Sequence, residues 1–329
     1  MQRIRIVVAG ALLLLTVVPA SAAAHGERAS SVVDDVYVEP ASGVGFLSAA
    51  IASARRDLDL SMYELRDPAL EGDLVRAAHH GVRVRVLLNA AYYGERENSD
   101  AARVLSGGGV HVTWAPRGQI FHAKYLVVDN RRVYLGTGNL VEYYYSSTRD
   151  FWVLDQNAGD VAAVERTFSG DVHAQSLATV THGGLVWSPG ATGALLSIID
   201  GARRTLLVEN EEMRDATIED ALAADARRGV RVDVVMVKSG RYLSELRDLA
   251  RHGVRVWLVP SSPIYLHAKV ICADCSSTDA TLFVGSQNFS YSSLDDNREL
   301  GVITHSGVAV TTVTRAIASD ISAATRLTP

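Results

Sequence analysis

Lysine is nearly absent from this sequence. The 329 residues contain only Lys124, Lys238 and Lys269, against 29 arginines, and acidic residues outnumber basic ones so that the formal net charge is −5. A protein that wraps nucleic acid usually carries a basic stripe or tail. The composition therefore favours other function classes, and it directs attention to the sequence around each of the three lysines.

Cysteine is also scarce. The two cysteines, Cys272 and Cys275, both lie in the segment VICADC. No second Cys pair or His cluster completes a zinc site. Two interpretations remain open, namely a disulfide, which suits an exported protein, and a pair of free thiols.

Long apolar runs are missing after the first 25 residues. At the N-terminus a short basic start, MQRIR, precedes the 15-residue apolar run IVVAGALLLLTVVPA and the small residues SAAA. This is the layout of a secretory signal peptide, and the run is shorter than the roughly 20 residues that a membrane-spanning helix needs. We therefore predict a signal peptide over residues 1–24 and a secreted protein, with an uncleaved anchor as the alternative.

Two nine-residue segments share one pattern of polar residues. FHAKYLVVD begins at Phe121 and LHAKVICAD begins at Leu266, so the pattern His-x-Lys-x-x-x-x-Asp occurs twice. Two of the three lysines belong to these segments, whereas chance placement of the ten histidines would produce roughly 0.1 His-x-Lys pairs. The pair of motifs is therefore not an accident of composition.

The repeat extends well beyond the motifs. AAHHGVRVRVLLN near residue 83 matches DARRGVRVDVVMV near residue 231, and YLGTGN (134–139) matches FVGSQN (283–288). RDFWVL from Arg149 matches RELGVI from Arg298. A repeat of this length indicates a duplicated domain, since solenoid repeats are far shorter. We predict a first lobe over residues 30–176 and a second over residues 185–329.

Within each half, short apolar runs alternate with amphipathic stretches. DLDLSMY, VRVRVLL and YLVVD are typical of strands, and DPALEGDLVRAAHHG is typical of a helix that ends in Gly. TLLVEN, VRVDVVMV, KVICAD and DATIEDALAADARRG are their counterparts in the second half. This alternation predicts a largely parallel or mixed sheet covered by helices on both faces. The predicted fold class is α/β, in two similar halves.

The motif carries groups that bind an anion. His122 and Lys124 are two positions apart on a predicted strand, so their side chains point to the same face and can meet one ligand. If a pseudo-twofold axis relates the halves, both motif histidines flank one phosphorus, where one attacks and the other donates a proton. Lysine and amide donors would carry the transition-state charge without a metal. The hydroxyl and amide donors that follow the motifs are Thr137, Ser286, Asn139 and Asn288.

The duplicated His-x-Lys-x4-Asp followed by Gly-[Ser/Thr]-x-Asn resembles the defining motif of the phospholipase D superfamily, over essentially the whole chain after the N-terminal segment. The resemblance implies two α/β/α sandwich lobes, an active site between them and a covalent phosphohistidine intermediate. It implies that His122 is the nucleophile, and that His267 protonates the leaving group and then activates water. The implied ligands of the phosphoryl oxygens are Lys124, Lys269, Asn139 and Asn288.

Four acidic residues accompany the motifs. Asp150 and Glu299 each lie 11 residues after the motif asparagine, and they match the family's acids that hydrogen-bond the histidines. Asp129 and Asp274 belong to the motif itself but follow its buried run, so we expect structural hydrogen bonds from them.

The motif does not distinguish lipid from nucleic-acid substrates. Export, negative charge and the lack of a basic tail favour a phospholipid, with an exported nuclease of the same fold as the alternative. A cardiolipin synthase-like phosphatidyl transferase and a catalytically silent binding module rank lower. We expect no cofactor, transient contact with a lipid interface, no obligate protein partner and a monomer.

Two further segments have several interpretations. The three tyrosines of VEYYYSS (141–147) contact an acyl chain, stack on bases or pack the lobe edge, and packing is the favoured interpretation. The acidic VENEEM (208–213) contacts a cationic head group or a calcium ion, or it is simply solvated ahead of a helix.

Overall fold

The computed structural model describes residues 33–173 and 178–329. The described chain contains two large mixed sheets, each with helices on both faces, and each sheet is built almost entirely from one half of the sequence. The predicted α/β class in two similar lobes is confirmed. The predicted signal peptide over residues 1–24 lies outside the described residues. No helix in the described ranges is both long and apolar enough to cross a membrane.

The first lobe orders its main strands β1-β9-β7-β6-β2-β4-β5. Strands β2, β4 and β5 are parallel, and the remaining neighbours are antiparallel. The elements are β1 (Val33–Glu39), α1 (Gly45–Ser53), β2 (Asp57–Met62), β3 (Leu65–Arg66), α2 (Pro68–His79), β4 (Arg83–Leu88), α3 (Gly94–Glu97), α4 (Ser99–Gly107), β5 (His111–Trp114), β6 (Tyr125–Val128), β7 (Arg132–Gly136), β8 (Leu140–Val141), β9 (Thr148–Asp155) and α5 (Ala158–Val172).

The second lobe repeats this plan in the order β10-β19-β17-β16-β11-β13-β14-β20. Its elements are β10 (Leu185–Ser188), α6 (Thr192–Gly201), β11 (Thr205–Glu209), β12 (Met213–Arg214), α7 (Ala216–Arg227), β13 (Arg231–Val237), α8 (Leu243–Arg251), β14 (Arg255–Val259), β15 (Tyr265–Leu266), β16 (Val270–Ala273), β17 (Thr281–Gly285), β18 (Phe289–Ser290), β19 (Glu299–Thr304), α9 (Gly307–Ser322) and β20 (Thr325–Arg326).

Local sequence signals set the ends of the predicted helices. The Asp67 side chain caps α2 by accepting hydrogen bonds from Ala69 N and Leu70 N at 2.9 and 3.0 Å. Beyond its C-terminus, Gly81 has φ +84°, a conformation that favours glycine. Asp215 caps α7 in the same way, so the two predicted helices are confirmed together with the equivalence of the halves.

The two lobes share one hydrophobic core. Helices α5 and α9 lie between the two sheets, and their apolar residues belong to a single buried cluster with strands of both lobes. Two further clusters lie under the outer helices, one in each lobe. Phe168 of α5 is fully buried in the shared cluster, and its truncation to Ala would cost about 3–5 kcal/mol. The lobes are therefore packed as one unit.

Buried ion pairs also join the lobes. Arg298 of the second lobe lies 2.7 Å from Asp171 of α5, and Arg149 of the first lobe makes two contacts of 2.7 and 2.9 Å with Asp320 of α9. Removing one partner of such a pair leaves an uncompensated buried charge. Each lobe thus depends on a helix of the other for the neutralisation of its buried arginine.

The motif segments cross between the sheets. Strand β15, just before the second motif, pairs with β9 of the first sheet, and Phe121, just before the first motif, forms a bridge with Arg298. One prediction is wrong in detail, because His122 and Lys124 precede β6 and are not inside a regular strand. The extended backbone between the sheets still brings the two motifs to one place.

The motif aspartates lie at the far ends of their strands. Asp129 accepts hydrogen bonds from the backbone N–H groups of Arg55, Arg56 and Asp57, and Asp274 does the same for the residues 203–205. Both adopt a positive φ, 53° and 50°. They tie a strand end to the preceding turn and do not face the other motif residues.

The two cysteines are joined. A disulfide links Cys272, the third residue of β16, to Cys275 in the loop that follows. The disulfide therefore ties the beginning of the loop between β16 and β17 to strand β16.

Candidate active site

Each motif histidine is held by a carboxylate from the other lobe. His122 Nδ1 lies 2.8 Å from Glu299 Oε2, and His267 Nδ1 lies 2.9 Å from Asp150 Oδ1. The side chains of the two histidines are 12% and 15% exposed, so each keeps an opening to solvent. Because Nδ1 is occupied in both rings, Nε2 is the nitrogen available for chemistry.

Backbone pairing across the lobes produces this exchange. The N–H groups of His122 and Ala123 donate to Arg298 O at 2.8 and 2.9 Å, and His267 N donates to Arg149 O at 3.1 Å. The residue after each arginine is the acid that holds the histidine. The crossing strands therefore determine which carboxylate meets which imidazole.

Burial and neighbouring lysines keep His122 neutral. Loss of hydration lowers the pKa of His122, and Lys124 and Lys269 lower it further against the opposing effect of Glu299. The ring therefore donates its Nδ1–H to Glu299 and carries a free lone pair on Nε2. A neutral imidazole with an oriented lone pair is the form that acts as a nucleophile.

Both partner carboxylates remain ionised. Burial opposes ionisation of Glu299, but His122 and Lys124 outweigh it, so the pKa of Glu299 lies below its usual value. Burial likewise opposes ionisation of Asp150, and its charged neighbours outweigh it and lower the pKa of that carboxyl. The site thus provides two fixed negative charges behind the two rings.

The two motif lysines are almost fully buried. Lys124 Nζ donates to His122 O at 2.5 Å, and Lys269 Nζ donates to His267 O. Burial lowers the pKa of Lys124 to about 7, with Lys269 adding to the effect. Each ammonium is held within its own motif turn, pointed towards the histidine of that motif.

The motif hydroxyls serve the carboxylates, which corrects the donor role predicted from sequence. Thr137 is fully buried and donates to Asp150 Oδ1 at 2.6 Å, so its proton is not free for a ligand. Ser286 is equally buried, accepts from Leu300 N at 3.1 Å and helps to lower the pKa of Glu299. The small residues around them have a packing role, since a Cβ on Gly138 would lie 2.8 Å from Asp150 Cγ.

The motif asparagines have unpaired oxygens. Asn139 Oδ1 and Asn288 Oδ1 are both buried and have no hydrogen-bond partner among residues 33–173 and 178–329. A buried polar atom without a partner is unusual in a folded protein. The two lobes show this feature at equivalent positions, which indicates a site that a ligand completes.

Two residues of the site escaped the sequence analysis. Tyr63 packs its ring edge-on against His122, with 4.7 Å between ring centroids, and Lys124 Nζ lies 5.1 Å from the Tyr63 ring centroid. Glu211 Oε2 lies 3.2 Å from Lys269 Nζ and 3.5 Å from His267 Nε2. Glu211 belongs to VENEEM, the acidic segment for which the sequence predicts either a ligand contact or a solvated position. Alignment of Tyr63 with Glu211 through the repeat was the signal that could have identified both.

A cavity of about 400 Å³ opens beside Tyr63, the residue that contacts His122. It is lined by Tyr63, Glu64, Tyr93 and Tyr144, together with residues of α3 and Arg66. Of the three tyrosines in VEYYYSS, only Tyr145 packs inward, where its hydroxyl lies 2.8 Å from Asp67. Tyr143 is 82% exposed, so the packing interpretation holds for one residue of the three.

The arrangement is suited to transfer of a phosphoryl group. It combines two oriented imidazoles and two buried ammonium groups, all at the junction of the lobes. The described residues hold no cluster of three or more His, Cys, Asp or Glu side chains arranged to bind a metal ion.

Comparison with protein families gives a match in each half. A family model described as cardiolipin synthase, PLD-like domain, matches residues 47–172 and again residues 195–321. The two matches cover both lobes and include both motifs. The duplication predicted from the repeat is therefore confirmed by the family model.

Comparison with individual proteins gives more distant similarities. Polyphosphate kinase of Vibrio cholerae serotype O1 is 32% identical over 120 residues, which are 34% of this chain. The chain spans only 17% of that protein's length. A second polyphosphate kinase, from Vibrio vulnificus, is 29% identical over 121 residues and is also matched over 17% of its length.

Two solved structures share the fold. Phosphatidylserine synthase from Haemophilus influenzae Rd KW20 has a TM-score of 0.70 and 12% identity, over 91% of this chain and 88% of that one. Polyphosphate kinase from Porphyromonas gingivalis has a TM-score of 0.66 and 17% identity, over 88% of this chain and 49% of that one. At these identities, the similarity establishes the fold alone.

Proposed function

Because the chain belongs to the phospholipase D superfamily, we propose that it is a phosphodiesterase that hydrolyses phospholipids through a covalent phosphohistidine intermediate. The observation that carries the proposal is the pair of crossed histidine–carboxylate contacts, His122 with Glu299 and His267 with Asp150. Two imidazoles with fixed tautomers supply both the nucleophile and the acid that cleavage of a diester requires.

In the first step, His122 Nε2 attacks the phosphorus. A P–N bond forms, the P–O bond to the leaving alcohol breaks, and His267 Nε2 gives its proton to the departing oxygen. Glu299 stabilises the positive charge that develops on His122, because it accepts the Nδ1–H bond. The products of this step are the free alcohol and a phosphoryl group bound to His122.

In the second step, water attacks the phosphohistidine. His267, now neutral, accepts a proton from the water, the P–N bond breaks, and a phosphomonoester leaves. Asp150 accepts the Nδ1–H hydrogen bond of His267 in both steps. It therefore holds the ring in place both when His267 donates a proton and when it accepts one. The same residue thus serves as the acid first and as the base afterwards.

Lys124, Lys269, Asn139 and Asn288 bind the phosphoryl oxygens in this proposal. The two ammonium groups are buried, where an electrostatic contact is stronger than in water. They provide the charge stabilisation that a metal ion supplies in other phosphoryl-transfer sites, so we propose a reaction that needs no cofactor.

The charge of the site favours a lipid diester over a polyanion. The two motif lysines are accompanied by the carboxylates of Glu64 and Glu211, in addition to the two that hold the histidines. A monoanionic diester suits such surroundings better than nucleic acid or polyphosphate, whose adjacent phosphates would meet this negative charge. The match to polyphosphate kinases covers only a sixth of their length and adds no support for their activity.

Two other activities are alternatives to phospholipid hydrolysis. An exported nuclease of the same fold would use the same histidines on a nucleic-acid diester. A phosphatidyl transferase would replace water by an alcohol in the second step, and it is favoured by the description of the matching family model. We further propose that the protein is secreted, because of its N-terminal segment, and that it is a monomer that contacts a lipid interface transiently.

An assay panel tests the proposal. The purified protein is offered phosphatidylcholine, cardiolipin, single-stranded DNA and RNA, each with and without EDTA, and the products are identified by mass spectrometry. We expect phosphatidic acid and choline from phosphatidylcholine, unchanged by EDTA. His122→Ala should abolish the products, whereas His79→Ala, at an exposed position on α2, should not. Cleavage of nucleic acid alone, or activity restored only by a divalent ion, would contradict the proposal.

A further inference from the structure

At one pair of equivalent positions in the site, the two lobes carry side chains of different charge. Tyr63 lies two residues before β3, and Glu211 lies two residues before the matching strand β12. Each of these positions touches the histidine and the lysine of its own lobe's motif. A neutral aromatic side chain therefore faces His122, and a carboxylate faces His267.

The Glu211 carboxylate stands at the reactive nitrogen of His267. Its Oε2 is 3.5 Å from His267 Nε2 and 3.2 Å from Lys269 Nζ, and its Oε1 accepts from the Tyr265 hydroxyl at 3.1 Å. Burial opposes ionisation, but Lys269 and His267 outweigh it and lower the pKa of Glu211 to about 2. The group is therefore negatively charged under all physiological conditions.

We propose that Glu211 selects phosphodiesters whose leaving alcohol carries an ammonium group. This inference rests on the proposed function and adds the chemical class of the leaving group. Attack and departure are roughly in line in phosphoryl transfer, so a leaving oxygen protonated by His267 lies on the side opposite His122. An ammonium group two carbons from that oxygen comes within reach of the Glu211 carboxylate.

A charge argument supports the same choice. The charge of Glu211 is balanced by Lys269 at 3.2 Å. When a phosphoryl oxygen binds Lys269, the carboxylate loses that counter-charge and gains a negative neighbour. A substrate that brings its own cation restores the balance, whereas one with a neutral head group leaves a poorly compensated charge in a half-buried position.

The neighbouring acidic residues Glu64 and Glu212 are paired with arginines and not with the motif residues. Glu64 contacts Arg66 at 2.5 Å, and Glu212, the next residue after Glu211, lies 3.3 Å from Arg214 and 4.0 Å from Arg241. Among the described residues, the ion pairs of Glu211 involve only motif residues, His267 and Lys269. Glu212 therefore offers a matched control with the same chemistry but an arginine-paired side chain.

The first test measures hydrolysis. Wild type, Glu211→Gln and Glu212→Gln are given phosphatidylethanolamine and phosphatidylglycerol with the same acyl chains, in the same mixed micelles, and kcat/KM is determined for each lipid. We expect wild type and Glu212→Gln to prefer the ammonium-bearing lipid by about tenfold or more, and Glu211→Gln to lose that preference. Equal kcat/KM for the two lipids in wild type would overturn the inference, whether or not the Gln variant folds.

The second test measures binding, which does not depend on turnover. Glycerophosphoethanolamine and glycerophosphoglycerol are titrated calorimetrically into the His122→Ala protein, with and without Glu211→Gln. Tighter binding of the ethanolamine diester that disappears in the double variant supports the inference even if no lipid is hydrolysed, in which case only the proposed function fails. Hydrolysis without any such preference, or no binding of either diester, overturns the inference.

Discussion

His122 in the first lobe is held by Glu299 in the second, with 2.8 Å between Nδ1 and Oε2, although the two residues are 177 positions apart in the chain. The reciprocal contact joins His267 to Asp150. Neither half contains both members of either pair. The orientation and the tautomer of each imidazole therefore exist only when the lobes are packed together.

The crossed carboxylates should be essential for turnover. We expect Glu299→Gln and Asp150→Asn each to lower kcat by about 10²-fold or more, because the neutral amide neither fixes the productive tautomer nor stabilises an imidazolium ion. Steady-state kinetics with circular dichroism as a check of folding measures the effect. Asp248→Asn, an exposed position on α8, is the control. Unchanged kcat in both amide variants would contradict the assigned roles.

The two histidines should be separable by the fate of the intermediate. His122→Ala should form no covalent adduct. His267→Ala should still permit slow attack on a diester with p-nitrophenolate as leaving group, since that oxygen needs little protonation, and the adduct should accumulate because no base activates water. Acid quench and peptide mapping should locate the phosphoryl group in FHAKY. An adduct in LHAKV would instead exchange the two assignments.

Lys124 should impose an alkaline limit on activity. Burial lowers the pKa of Lys124 to about 7, so the ammonium form that binds a phosphoryl oxygen is present below pH 7 and is lost above it. We expect kcat/KM to fall as pH rises through about 7, since this parameter reports the free enzyme. Lys124→Arg stays protonated and should move the limit to higher pH, at some cost in rate. If kcat/KM of Lys124→Arg falls at the same pH as that of wild type, the titrating group is not Lys124.

Glu39 should make the fold less stable at alkaline pH. Burial, followed by the charge of Asp150, raises the pKa of Glu39 to about 8, so its carboxyl is protonated in the folded protein where the unfolded chain is already ionised. The stability contribution is complete below about pH 4.5 and declines towards pH 8, by at most about 1.4 kcal/mol per pH unit.

Denaturant titrations of Glu39→Gln test this directly. The variant should flatten the pH dependence of unfolding, because Gln keeps the acceptor for Trp152 Nε1 and does not ionise. Relative to wild type it should gain stability at pH 8 and little at pH 5. Parallel curves for the two proteins would show that Glu39 is not the titrating group.

The disulfide should be detectable by mass. With Cys272 and Cys275 joined, the intact protein should be about 2 Da lighter than its fully reduced form. Asp274 lies between the two cysteines and ties the strand end to Thr205 and its neighbours, so reduction should loosen that loop. Quantitative labelling of both thiols without reductant would exclude the bond in the isolated protein.

Much of the fold follows from local sequence. The predicted helix over 67–81 is observed as Pro68–His79 because Asp67 caps it and Gly81 follows it, and both signals act within a few residues. The apolar run YLVV is buried on both faces, with Tyr125 facing the shared core and Leu126 facing the outer one. A continuous apolar run and a capped amphipathic stretch are both visible in one dimension, so strand and helix positions were predictable.

The hydroxyls and the acidic stretch were not predictable in the same way. Thr137 and Ser286 looked like ligand donors, but in the folded protein Thr137 donates to Asp150, and Ser286 bonds the Leu300 backbone and helps to lower the pKa of Glu299. Glu211 looked like one acid among several, and only its approach to Lys269 distinguishes it from Glu212. Side-chain direction at the end of a strand depends on neighbours that local sequence does not specify.

The sequence by itself determined the repeat, the α/β class, the identity of the motif residues and the family. Those properties follow from residue spacing and from local hydrogen bonding. Tertiary structure alone decided that α5 and α9 share one core, that each histidine takes its carboxylate from the other lobe, and that Tyr63 and Glu211 make the two halves of the site different. These contacts join residues more than one hundred positions apart or depend on how a strand end is packed, and the geometry that selects them exists only after the two sheets have come together.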